Sequence, residues 1–107
     1  MELTDFGAVL LFGNAAAHFV GFRALRQVDG ASTHISAFGA FVVINAALGF
    51  LVLAGVGWSE WLAIVFPALG GLGLGITLGE FEAPRWIAYT VLALDVALVI
   101  TFGIARL

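Results

Sequence analysis

The chain reads as four long apolar stretches separated by short polar breaks. Phe6–Leu25 is apolar apart from Asn14, His18 and Arg23, and it runs into the polar segment Arg26-Gln27-Val28-Asp29-Gly30. Ser32 and Thr33 suit a helix N-cap and precede the second stretch, His34–Gly55. Gly57–Trp61 reads as a tight polar-aromatic turn, followed by the third stretch, Leu62–Gly79. Glu80–Trp86 turns the chain again, with Pro84 well placed for the first turn of the fourth stretch, Ile87–Ala105. Each stretch is near the roughly 20 residues needed to cross about 30 Å of hydrocarbon. The pattern therefore predicts an all-α, integral membrane four-helix bundle with short connections, in one membrane domain over residues 1–107. Trp58, Trp61 and Trp86 fall at predicted span ends, where interfacial aromatics belong. Pro67 and the run Gly70–Gly75 lower helix propensity in the third span, so a broken or re-entrant helix stays open there.

Composition supports the same solvent. Of 107 residues, 63% are hydrophobic and 10% charged, against about a quarter charged in ordinary soluble domains. The mean hydropathy is +1.15. Such a chain lacks the polar surface to stay soluble alone, which argues against a soluble enzyme or a disordered tail. All four basic residues are arginines and the net charge is −3, so no basic patch awaits nucleic acid. The absence of cysteine excludes disulfides and thiolate metal sites.

Arginine also sets the expected orientation. Arg23, Arg26 and Arg85 lie in or beside the first and third connections, and Arg106 alone lies at the other side. The positive-inside rule then puts those two connections in the cytoplasm and both termini outside, in what reads as the cell membrane. Met1–Asp5 has no basic region or small-residue cleavage pattern, so the first stretch reads as a retained span.

Small residues spaced by four predict close helix approach. The first span offers Gly13, Ala17 and Gly21, the third Gly71, Gly75 and Gly79, and the fourth Ala93, Ala97 and Thr101. Ile44–Leu48 and Leu94–Leu98 also share a mid-span polar residue 50 positions apart, as a duplicated helical hairpin would.

The candidate chemistry lies in five polar residues at depth: Asn14, His18, Asn45, Thr77 and Asp95. At 1.5 Å per residue, Asn14, Asn45 and Asp95 fall near mid-span, His18 one turn from Asn14, and Thr77 near the arginine side. Unpaired polar groups in lipid are costly, so these are expected to face one another or a water-filled lumen. With no Lys or Arg at its depth, Asp95 meets water, takes up a proton, pairs with Asn14 or Asn45, or contacts a partner subunit. His18 either joins two helices through a ring N–H or serves a pathway. His18 and His34 differ in depth by roughly 7 Å, which argues against a shared haem. No cofactor, metal set or nucleophile–base pair is expected, and Asp29, Glu80 and Glu82 read as solvated.

The first two spans resemble the AmiS/UreI family of amide and urea channels. Val9-Leu10-Leu11-Phe12 matches the opening of that family, and Val28-Asp29-Gly30-Ala31-Ser32 matches the Val-Asp-x-x-Ser that closes its first connection. Gly21 and Phe38 fall in place, and Gly79, Pro84 and Ala93 match loosely. The chain departs from the family in having room for four spans instead of six, and Asp95 in place of an Asn. The resemblance implies a ring of protomers conducting small neutral amides, with outward termini.

Two functions follow as expectations. One is an oligomeric, non-enzymatic channel or transporter for a urea- or amide-like solute or for protons, lined by the five polar residues. The other is a non-catalytic accessory subunit of a larger membrane complex.

Overall fold

The computed structural model describes residues 2–30 and 33–107. It is all-helical among the described residues: α1 (Leu3–Arg26), α2 (Ile35–Leu53), α3 (Gly57–Ile76) and α4 (Arg85–Ala105), with a single 3-10 turn at Leu78–Glu80. All four helices are long and apolar enough to cross a membrane. The bundle is 42 Å along its longest axis, somewhat more than a hydrocarbon core of about 30 Å.

α1, α3 and α4 begin earlier than the apolar stretches suggested, and local hydrogen bonds account for the bounds of the first three helices. α1 starts at Leu3 because Asp5 Oδ2 accepts the Glu2 N–H at 3.3 Å, half of a capping box. α2 stops at Leu53, before Gly55. The Gly55 and Val56 N–H groups return to Val52 and Leu51 at 3.0 and 3.1 Å, a Schellman closure. That closure needs the left-handed region, and Gly55 supplies it with φ +80°. The connection is thereby complete at Val56, so Gly57–Trp61 forms the first turns of α3 instead of a loop. The Ser59 hydroxyl donates back to the Val56 carbonyl and anchors that start. α3 then runs through Pro67 without a break and ends at Ile76, so Gly79 lies beyond it. Pro84 is the N-cap of α4, and Arg85 and Trp86 are already helical. The residue capping α2 is His34; Thr33 lies in the turn before it, and Ser32 falls outside the described residues.

Neighbours in sequence are neighbours in space. α1 lies against α2 and α4, and α4 against α3, while the α2–α3 seam is the thinnest of the four. The Arg106–Glu60 ion pair (3.7 Å) holds the C-terminus beside the start of α3 at one end, the terminal end. Contacts between the first and third connections close the other, the arginine end: His34 stacks edge-on against Phe81 with centroids 5.3 Å apart.

Close approach is achieved by glycine, and of the glycines in the expected stripes only Gly21 and Gly71 take part in it within the bundle. Gly13, Gly75 and Gly79 have open space where a Cβ would stand. The crowded glycines receive phenylalanine rings: Phe102 covers Gly7, Phe38 covers Gly21, Phe22 covers Gly39, Phe12 covers Gly49 and Phe41 lies over Gly70. Gly71 is the exception and abuts Asp95. Ala17 is part-buried against the arginine-end core. The glycines therefore act as sockets for rings across helix seams, which also shortens the distance between the helices carrying them.

The core is divided in two. Leu25, Phe38, Leu74, Phe81, Ile87 and Val91 form a cluster toward the arginine end. Leu11, Leu48, Val52, Ala63, Leu98 and Phe102 form another toward the termini. Buried polar residues of α1, α2 and α4 lie between them in each helix's own order.

Candidate functional site

The dividing layer is Asn14, Asn45 and Asp95, all nearly inaccessible. Asn14 is its hub. The Asn14 amide donates to Asp95 Oδ1 at 2.8 Å and points its Nδ2 at Asn45 Oδ1 at 3.5 Å, linking three helices through one side chain. Asn45 spends its own amide on the Phe41 carbonyl one turn back, at 2.8 Å. Two acceptors are left over: Asn14 Oδ1 and Asp95 Oδ2 are buried with no partner among the described residues. A buried acceptor without a donor costs about 1–3 kcal/mol. The layer is thus under-supplied with protons, and what complements it is a donor: an N–H, an O–H or a proton.

His18 stands one turn from Asn14 and bonds the Asn14 carbonyl through Nδ1 at 2.7 Å. A carbonyl can only accept, so Nδ1 carries the hydrogen and Nε2 is bare in the neutral ring. The ring is held between Phe38 (4.9 Å) and Phe41 (5.5 Å, stacked).

Thr77 does not join this layer. As the residue closing α3, it donates its hydroxyl to the Gly73 carbonyl at 2.7 Å. The same oxygen meets His34 Nε2 at 2.7 Å, and since its one hydrogen is committed, His34 Nε2–H is the donor. His34 Nδ1 is then a buried group with no partner among the described residues. This His34–Thr77 contact links α2 and α3 across the thin seam. Sequence reasoning missed it because His34 sits at a span end, where a polar residue carries no penalty.

The seam itself opens into a crevice of about 340 Å³, lined by His18, His34, Phe38, Phe41, Gly73 and Thr77 among others. A run of polar groups thus extends from the arginine end to mid-bundle: Thr77, His34 and His18 on the crevice wall, then Asn14 and Asp95 beyond its lining. Phe38 stands between the two histidine rings, 4.9 Å from one and 6.4 Å from the other. Glu82, read above as solvated, accepts the N–H of Thr33, a crevice-lining residue, at 3.4 Å.

Among the described residues, no group of three or more His, Asp or Glu side chains is arranged to hold a metal ion. Fold and site together define a four-helix bundle of membrane-spanning length with a polar layer across its core. Compared with family models, curated proteins and solved structures, the chain gives no match.

Proposed function

We propose that this chain is an integral membrane protein that forms an oligomeric channel or transporter for a small solute, urea- or amide-like, or for protons. The observation that carries the reading is the polar run from His34 and Thr77 through His18 to Asn14 and Asp95. Polar side chains inside a span are expensive and belong to pathways or helix contacts. Here His34, Thr77 and His18 line an open crevice, and the run ends beyond it on unpaired acceptors that an amide NH₂ or a proton complements. The resemblance of the first two spans to the AmiS/UreI channels supports the amide class. The arginine-bearing connections are cytoplasmic in this reading and the termini outside, in the cell membrane. The crevice then lies in the cytoplasmic half of the bundle. The terminal half is sealed by Leu11, Leu98 and Phe102, so passage requires α1 or α4 to shift there.

Flux of urea, acetamide and protons into proteoliposomes tests this directly. Asp95→Asn and His18→Ala should each change the flux at least several-fold; wild-type flux in both would remove these residues from the path. Because the chain has no cysteine, a single Gln27→Cys with a membrane-impermeant thiol reagent reports which side the first connection occupies.

A second reading, an accessory subunit of a larger complex, draws on Gly13 and Gly79, which stand open and unpartnered on α1 and just beyond α3. It predicts co-purification with other chains at fixed stoichiometry in mild detergent, whereas a clean homo-oligomer opposes it.

A further inference from the structure

Asp95 has a second side. Its Oδ1 is taken by Asn14 within the bundle, but the residue also lines a groove of about 500 Å³ between α3 and α4, on the flank away from α2. Asp95 is the only polar side chain among the eleven residues lining that groove. The others are aliphatic, glycine or proline, from Pro67 to Ile76 on α3 and from Leu92 to Ile100 on α4.

Asp95 lies at the groove floor beside Gly71, which places no side chain over it. A Cβ at position 71 would stand 3.3 Å from Asp95 Cβ and 3.5 Å from Oδ2, so a longer side chain there would lie across the carboxylate. The oxygen on that side, Oδ2, is buried and has no donor among the described residues. The groove wall along α3 spans the ten residues from Pro67 to Ile76, about 13 Å in length. A long apolar trough, one acidic group at its floor and an unused acceptor on that group together describe a ligand. It has an apolar body and a single positively charged donor.

We propose that the α3/α4 groove binds a lipophilic amine, its ammonium group paired with Asp95 and its apolar body lying along Leu72, Ile76, Val96 and Ile100. Charge complementarity selects the amine over a neutral amphiphile. An isolated charge in an apolar trough is strongly penalised, whereas the ion pair removes both charges at once. The inference rests on the membrane reading above but not on solute flux, because the groove faces out from the bundle and the crevice lies on the other side of α3.

The probe is decylamine, with decanol as the neutral control, added to the full chain in detergent micelles. Binding is read by calorimetry, and occupancy of the site by protection of Asp95 from dicyclohexylcarbodiimide, mapped by mass spectrometry. Wild type should bind decylamine at least tenfold more tightly than decanol, and decylamine should protect Asp95 where decanol does not. Asp95→Asn keeps an acceptor for Asn14 and should bind the two probes alike. Gly75→Leu fills the groove from a position with open space around it, so the bundle should stay folded while decylamine binding drops at least tenfold. Equal decylamine binding by wild type and Asp95→Asn, or by wild type and Gly75→Leu, would overturn the site. Because these measurements need no transport, absent flux with intact amine binding counts against the channel alone.

Discussion

In the terminal half of the bundle, Leu11, Leu98 and Phe102 have no exposed surface at all, and the Phe102 ring fills the space over Gly7. In the arginine half, Phe38 is equally well socketed on Gly21, yet a crevice of about 340 Å³ reaches in to His18. Both halves use phenylalanine on glycine, so residue type does not separate them. The difference lies in α2 and α3. Toward the arginine end these helices are held by the polar His34–Thr77 contact and by Phe41 over Gly70, which leave space between them. A polar latch spans a gap that apolar packing would have closed.

The largest effect should come from removing a ring in the sealed half. Phe102→Ala deletes a fully buried side chain that nothing nearby can replace, and the expected loss is about 3–5 kcal/mol. Phe41→Ala removes the same ring beside a space that is already open, so the new void merges with the crevice and the loss should be less than half as large. Unfolding in mixed micelles measures both. Equal losses would mean that the two halves are packed alike.

Next in size is the layer between the halves. Asn14→Ala strips Asp95 Oδ1 of its 2.8 Å donor and Asn45 of its 3.5 Å contact, leaving further buried acceptors unpaired. The expected cost is about 1–2 kcal/mol, because hydrogen bonds between membrane helices are individually modest. Asn45→Ala should cost less, since its shortest bond stays within α2. If the order is reversed, Asn14 is not the hub of the layer.

That hub was legible in the sequence in its depth but not in its wiring. Counting residues from span ends places Asn14, Asn45 and Asp95 at one level, because helical rise is constant. It cannot say which amide donates, because that depends on how each helix is rotated about its axis. Thr77 and Gly79 show the other limit. Both follow from the apolar run of the third span, yet α3 ends at Ile76, where the Thr77 hydroxyl returns to Gly73. Hydropathy measures solvent preference and is blind to the hydrogen bond that terminates a helix. The same blindness put Gly57–Trp61 in a loop, where the Schellman closure at Gly55 had already completed the turn. The glycine stripes were only half legible, with Gly21 and Gly71 packed as expected, and for a different reason. Spacing by four finds residues on one face, but only the neighbouring helix decides whether that face is covered, and Gly13 and Gly75 stand uncovered.

The smallest energetic effect, and the sharpest on the comparison, should come from Thr77→Val. The substitution keeps the shape of the side chain and removes the hydroxyl that joins His34 Nε2 to the end of α3, both contacts being 2.7 Å. One hydrogen bond near a helix end is worth about 1 kcal/mol, so the unfolding midpoint should shift only slightly. The consequence should instead be local. With the latch gone, α2 and α3 are free to part at the arginine end, and the His18 ring becomes easier to reach through the crevice. Diethylpyrocarbonate reacts with a bare imidazole nitrogen, which His18 presents at Nε2 while Nδ1 is held by the Asn14 carbonyl. Mass-spectrometric mapping should therefore find His18 modified faster in Thr77→Val than in wild type, with the solute flux of the proteoliposomes rising in parallel. A variant whose His18 is modified at the wild-type rate would show that the seam is held by packing at Phe41 and Phe66, whose rings meet edge-on at 6.3 Å, and that the polar latch only decorates it.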